Sequence, residues 1–247
     1  MTKPFVLYES ELATVYQGDC RDVIPTMDRD AADLIVTDPP YGVKARSSSK
    51  RKKQDKFTPI IGDDDKQQVI KILAECAHPL RSKRHVYVFG FRPDELKEPM
   101  SLGGCSELIW DKQILGMGGG ESPWRPQHEK ICFGVYVQSP ANVKSGEGNL
   151  SARMRSGSVI LVPRKNSRQV SLHMTEKPVP LLTQLIESSS RPGDTVFDPF
   201  VGSGSTLVAA IVLGRRAIGI EIDPQHAFTI IDRVKEAERV RDEIEKL

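Results

Sequence analysis

The segment from Thr195 to Glu221 constrains the fold of this chain more than any other. A short apolar strand, Thr195-Val-Phe-Asp198, leads through Pro199-Phe200-Val201 into the turn Gly202-Ser203-Gly204. A helix of small and aliphatic residues follows and is closed by Gly214. A second apolar strand, Ala217-Ile-Gly-Ile220, then ends on Glu221, with Asp223 close behind. Strand, glycine turn, helix and strand make a nucleotide-binding βαβ pattern. Its glycines let the backbone approach a ligand, and the terminal carboxylate can accept from ribose hydroxyls. Leu207 stands where a dinucleotide fingerprint would carry its last glycine. Asp198 offers an acceptor suited to a cationic ligand rather than a phosphate. The pattern therefore favours an adenosyl group with an ammonium over a dinucleotide.

A second apolar run, Asp33-Leu-Ile-Val-Thr37, reads as a buried strand and ends in Asp38-Pro39-Pro40-Tyr41. The two prolines stiffen the turn and bias the residue before each towards extended backbone. The Asp38 carboxylate and the Pro39 carbonyl can then face one small pocket, with Tyr41 as its wall. Fixed acceptors beside an aromatic face suit a planar amino group attached to a ring. A proline turn capping a core strand is the plainer alternative, and the glycine turn downstream weighs against it.

Strands alternating with helices imply an α/β, doubly wound, mainly parallel sheet. Val6–Gly18 reads as a strand pair, followed by a short helix to about Met27. Further helices are expected over Lys66–Leu80 and Pro93–Met100, and further strands over His85–Gly90, Glu107–Trp110, Glu129–Val137 and Val159–Val162. Gly116–Gly120 is a glycine-rich loop. Pro178 opens a helix with Val179, Leu182, Leu185 and Ile186 on one face. The last helix is expected to begin at Pro224 with Asp223 as its N-cap, and to bury a stripe from Ala227 to Ile244.

The chain of 247 residues has a net charge of +2, too low for a general coater of nucleic acid. Its basic residues cluster instead. Lys44, Arg46, Lys50, Arg51, Lys52, Lys53 and Lys56 crowd the segment after Tyr41, and Arg153, Arg155, Arg164, Lys165 and Arg168 precede His173. The first cluster reads as a mobile loop, 44–65, that grips phosphates. A merely solvated charge run and a nuclear-import signal are the alternatives. Cys20, Cys76, Cys105 and Cys132 show no paired spacing, so neither a zinc site nor a disulfide framework is expected. No metal is expected, no stretch approaches the ~20 apolar residues of a membrane span, and the expected compartment is the cytoplasm.

Taken in order, these motifs resemble the S-adenosylmethionine-dependent DNA amino-methyltransferases that act on adenine N6 or cytosine N4. The resemblance runs through Gly18-Asp19-Cys20, Asp38-Pro-Pro-Tyr41, Trp110-Asp-Lys112, Arg125-Pro-Gln-His-Glu129, His173-Met-Thr175-Glu-Lys177-Pro178 and Asp198-Pro-Phe-Val-Gly-Ser-Gly204. With the proline turn first and the glycine turn last, it is similar to the β arrangement of that family. His173-Met174 departs from the usual His-Pro.

The resemblance implies a seven-stranded Rossmann-like sheet. It implies a catalytic half over 1–137, a target-recognition segment over 138–172 and a cofactor-binding half over 173–247. It implies catalysis by Asp38, Pro39, Pro40 and Tyr41. S-adenosyl-L-methionine would be held by Asp19, Cys20, Thr175, Lys177, Asp198, Phe200, Gly202, Ser203, Gly204, Glu221 and Asp223. Among these, Asp19 would accept from the adenine, Glu221 from the ribose, and Thr175 with Lys177 would hold the cofactor carboxylate.

Double-stranded DNA is the implied partner, met by the basic clusters, Trp124 and Arg125. Trp124 also reads as a half-buried loop anchor, and Trp110 as core. The short recognition segment allows either a short target or a homodimer reading two sides. Asp at the first position of the proline motif favours N6 of adenine over N4 of cytosine. RNA or protein N-methylation, and a non-catalytic DNA binder on this scaffold, are the remaining readings.

Overall fold

Strand β3 (Ala32–Thr37) is buried at every position, because helices cover both faces of the sheet to which it belongs. Successive side chains of a strand point to opposite faces. Leu34 and Val36 accordingly enter one apolar cluster and Ile35 the other, and Ala32 joins Ile35 because the register shifts between Ala32 and Leu34. In this computed structural model the described residues are 5–41, 65–114, 124–137, 157–164 and 176–246.

The elements in chain order are β1 (Phe5–Glu9), β2 (Ala13–Gln17), α1 (Cys20–Val23), β3, α2 (Lys66–Cys76), β4 (Leu80–Phe89), α3 (Pro93–Leu96), β5 (Leu102–Asp111), β6 (His128–Tyr136), β7 (Val159–Leu161), α4 (Val179–Ser189), β8 (Thr195–Asp198), α5 (Ser205–Val212), β9 (Arg216–Glu221) and α6 (Ala227–Glu245). The described strands form one nine-stranded sheet in the order β1-β2-β9-β8-β3-β4-β6-β5-β7. Strands β2, β9, β8, β3 and β4 pair in parallel. Strand β6 runs antiparallel between β4 and β5, and β1 runs antiparallel to β2.

Helices α4, α5 and α6 contribute Leu181, Leu185, Leu207, Ala210, Ile230 and Val234 to the cluster on one face. Helices α1, α2 and α3 contribute Val23, Val69, Leu73 and Leu96 to the cluster on the other. The doubly wound, mainly parallel class expected from the sequence is therefore the observed one. Burial of each large aliphatic side chain stabilises the fold by about 1.5–3 kcal/mol.

Three expectations are corrected. The sheet has nine strands among the described residues rather than seven, because a strand is added at each edge. Strand β1 folds back on β2, and β7 pairs in parallel with β5 through Ile109–Val159 and Asp111–Leu161. The last helix begins at Ala227, not Pro224. Asp223 spends its acceptors on a preceding turn, its carboxylate on the Gln225 amide at 2.8 Å and its carbonyl on the His226 amide at 3.1 Å. Trp124 is not a half-buried anchor, since it is 85% exposed. Trp110 is core as expected, and its indole N–H donates to the Val162 carbonyl at 2.7 Å.

Candidate active site

Strands β3 and β8 are neighbours, but the chain leaves them in opposite directions, from β3 to β4 and from β8 to β9. Such a reversal opens a crevice at the carboxyl ends of the strands, where α/β sheets hold ligands. Asp38 follows β3 and Asp198 closes β8, so both motif carboxylates stand at this crevice. They are tied through Thr37, whose hydroxyl donates to Asp198 Oδ1 at 2.7 Å. Three further elements deliver their ends to the same rim. Strand β6 runs antiparallel and so brings Glu129 there, β5 ends beside Lys112, and α4 begins just after Lys177.

Asp38 is held from two sides. Its Oδ1 accepts from the Tyr41 hydroxyl at 2.7 Å and its Oδ2 from the Lys177 ammonium at 2.5 Å. The same ammonium lies 3.0 Å from Glu129 Oε1, while Glu129 Oε2 meets Lys112 Nζ at 2.8 Å. The Tyr41 hydroxyl is also 2.6 Å from Glu129 Oε1, so its one proton serves two carboxylates. Burial, then the charges of Asp38 and Glu129, push the Tyr41 phenol well above its ordinary range.

For Lys177, burial opposes the charged form, but the two carboxylates outweigh it and raise the ammonium. For Glu129, burial is likewise outweighed by Lys177 and Lys112, which hold its carboxyl below its ordinary value. Gly90, at the end of β4 with φ +77°, forms the floor of this cluster. A Cβ there would lie 2.2 Å from Tyr41 Cε1.

Cys20, Asp198, Ser203, Glu221 and Lys177 are buried, Pro39 likewise, while Pro40, Tyr41 and Asp38 are partly open. Gly204 takes φ +83° at the N-cap of α5, a conformation that favours glycine. Glu221 braces the glycine turn. Its Oε2 accepts from the Gly202 amide at 2.8 Å and its Oε1 from the Asp223 amide at 2.8 Å. Asp198 Oδ1 also accepts from the Phe200 amide at 3.1 Å.

Ser203 and Ser205 are bonded to each other at 3.1 Å, and Arg233 ties this turn to Glu176. Its guanidinium donates to the Ser203 carbonyl at 2.6 Å and to Glu176 Oε1 at 2.7 Å. Glu176 and Lys177 are thus consecutive residues anchored to opposite halves of the site.

Asp19 caps α1 and forms a two-pronged contact with Arg21, whose hydrogen bonds lower its carboxyl. The Cys20 thiol packs in the core cluster with Cys76. Lys177, which the resemblance places on the cofactor carboxylate, has its ammonium on Asp38 and Glu129, because a buried ammonium is drawn to the nearest carboxylates. No role is expected from the sequence for Thr37 or Arg233. Lys112, Glu129 and Glu176 stand within the motifs of the resemblance, Glu129 as a structural residue near the site without acid–base work. A charged residue at the end of an apolar strand is a further signal that points to Glu129.

Thr175 lies outside the described residues, as do Lys44, Arg46, Lys50, Arg51, Lys52, Lys53, Arg153, Arg155, Lys165 and Arg168. Trp124, Arg125 and Arg164 are described and exposed. Arg164 lies beside Lys112, whose carbonyl accepts from its amide, and the Lys112 amide donates to the Gln127 carbonyl, two residues beyond Arg125. Among the described residues no cluster of metal-ligating side chains is present, and no helix is long and apolar enough to cross a membrane.

Two features of the glycine turn fit an adenosyl group bearing a positive centre. A Cβ at Gly202 would meet nothing closer than the Phe200 carbonyl at 4.0 Å, so the space beside the turn is open. Asp198 is a fully enclosed carboxylate with no cation on it among the described residues. Burial pushes its pKa up to about 6 despite hydrogen bonds from Thr37, Thr206 and the Phe200 amide.

Folding therefore binds a proton at Asp198. The stabilisation is complete below about pH 4 and is lost as pH rises through about 6. Without cofactor, Asp198→Asn is expected to gain about 3 kcal/mol relative to the unaltered chain between pH 4 and pH 7, at ~1.4 kcal/mol per pH unit. Thermal unfolding of both proteins across that range measures it, and parallel curves would refute the assignment.

A family profile described as DNA methylase, for the N6 and N4 methyltransferases, matches residues 32–232. The chain belongs to this DNA methylase family. The methylase is 27% identical to the type II methyltransferase M.HinfI of Haemophilus influenzae over 261 aligned positions, covering 96% of this chain and 72% of that one. It is 24% identical to the DNA adenine methyltransferase YhdJ of Escherichia coli, covering 89% and 81% of the two chains.

The solved structure of the cytosine-N4-specific PvuII DNA methyltransferase shares its fold, with a TM-score of 0.65 and 13% identity over 97% of this chain and 94% of that one. The methylase uses S-adenosylmethionine, the cofactor of its family, and DNA is its substrate.

Proposed function

We propose that this methylase transfers the methyl group to the exocyclic N6 of adenine in duplex DNA, on a base flipped out of the helix. The reading is carried by one observation. Asp38 is an acceptor fixed by Tyr41 and Lys177 at the mouth of a crevice whose other wall is the open glycine turn. Aspartate at the head of the proline motif, and the adenine specificity in the name of YhdJ, favour adenine over cytosine.

The bound cofactor supplies a methyl group already activated on a sulfonium. The chain therefore needs no covalent nucleophile, and its cysteines take no part. The aromatic amine is a poor nucleophile because its lone pair is delocalised into the ring. Asp38 and the Pro39 carbonyl accept its two N–H bonds, which favours a more tetrahedral nitrogen. Holding that nitrogen in line, and meeting the positive charge that develops on it, supply most of the acceleration. Tyr41, whose proton is firmly held, orients Asp38 and removes no proton from the amine. The proton leaves after methyl transfer, so Asp38 acts as an acceptor rather than a strong base.

Flipping costs a few kcal/mol of stacking, and contact with an aromatic wall returns ~1–3 kcal/mol. Trp124, Arg125 and Arg164, with the basic residues of 44–53 and 153–168, contact DNA, and the segment 138–172 selects the target. Asp19, Asp198 to Gly204, Glu221 and Asp223 line the cofactor.

Incubating the full chain with isotope-labelled cofactor and duplex DNA, followed by mass spectrometry of the nucleosides, tests this reading. N6-methyladenine is expected. N4-methylcytosine, or label only in RNA or protein, would replace it, and no transfer to any of them would leave a DNA binder.

A further inference from the structure

Glu129 is a largely enclosed charge for which the transfer chemistry above has no use. Its side chain is 14% exposed, and it stands third in an alternating row of four charges, Asp38, Lys177, Glu129 and Lys112. Each neighbouring pair in that row is within 3.0 Å. The Lys177 ammonium sits over the Phe89 ring at 5.0 Å and touches both carboxylates.

The contact of this ammonium with Asp38 Oδ2, at 2.5 Å, is already shorter than that with Glu129 at 3.0 Å. With Asp38 as its one counter-charge, the poorly solvated ammonium would turn its remaining protons onto that carboxylate as well. It would then compete with the target amine for the same oxygen. Glu129 prevents this by holding the other side of the ammonium, and Lys112 in turn balances Glu129.

We propose that Glu129 is a positioning residue for methyl transfer, acting through Lys177, whose ammonium it shares with Asp38 so that Asp38 Oδ2 keeps a lone pair free for the incoming amino group. The inference rests on Asp38 being the acceptor of that amine.

In the full chain, Glu129→Gln keeps the size of the side chain and an acceptor for Tyr41 but removes the charge. Its single-turnover rate on duplex DNA is expected to fall about 100-fold, the cost of a misplacement of about 1 Å at a reacting group. Its affinity for S-adenosylmethionine should stay near that of the unaltered chain, because Glu129 does not touch the glycine turn. Its thermal midpoint falls with the loss of the ion pairs to Lys177 and Lys112, so rates are compared well below both midpoints.

The decisive comparison uses Lys177→Met. If Glu129 acts through the ammonium, adding Glu129→Gln to Lys177→Met changes the rate by no more than about threefold, a non-additivity expected of coupled residues. Glu129→Asp, which keeps the charge, should recover most of the rate.

An unslowed Glu129→Gln overturns the inference, as does an equal loss in both Lys177 backgrounds or a Glu129→Asp as slow as Glu129→Gln. These outcomes leave the functional reading standing if the unaltered chain methylates adenine. An unaltered chain that methylates no DNA overturns both.

Discussion

Asp38→Ala is expected to lower the rate of methyl transfer by about 10²–10³ or more, the range for removing one preorganised electrostatic partner. Its affinity for S-adenosylmethionine should hold within about twofold, since the loss falls on the transition state rather than on cofactor binding. The separation follows from where the side chain points. Asp38 meets Tyr41 and Lys177, whereas the glycine turn is braced by Glu221 and Arg233. Lys177 keeps Glu129 as a counter-ion after the substitution, so no buried ammonium is left unpaired. Equilibrium cofactor binding and single-turnover transfer, measured on the same preparation, check both parts. A matching loss of affinity would mean that Asp38 belongs to the cofactor pocket.

Gly90→Ala is the second large effect, although Gly90 contacts no substrate. The added methyl group would stand 2.2 Å from Tyr41 Cε1 and 2.5 Å from Cδ1, and the residue would hold φ +77°. The ring cannot simply swing away, because its hydroxyl is engaged by Asp38 and Glu129. Strained backbone of this kind costs about 1–3 kcal/mol. Displacement of the ring should in addition lower transfer about 100-fold, as a misplacement of about 1 Å does. Denaturant unfolding and single-turnover rates measure the two effects. A variant with an unchanged rate would show that Tyr41 need not stand where it does.

The parts legible in the sequence were those written in consecutive residues. The proline turn, the glycine turn and the carboxylate at the end of β9 are each fixed by a few neighbours in the chain, and all three lie on the rim where strand ends gather. The destination of Lys177 was not legible, because its ion pair with Asp38 joins residues 139 positions apart and depends on α4 starting beside β3. Thr37 reads as an ordinary strand residue until β3 and β8 are seen side by side.

Trp124 misleads in the opposite sense. A tryptophan between prolines and glycines suggests an anchor, yet this one is 85% exposed. Both edge strands are legible locally, within Val6–Gly18 and Val159–Val162, and only the count of seven implied by the resemblance left them out. The pairing of β7 with β5 is set by a return of the chain.

Glu176 and Lys177 have a mechanical consequence. Their α-carbons are about 3.8 Å apart, as in any trans peptide, yet one side chain is pinned to the glycine turn through Arg233 and the other to Asp38. A lever this short has almost no slack. The glycine turn and the group that receives the base are thus joined by two consecutive residues, the shortest covalent path between the two halves of this site.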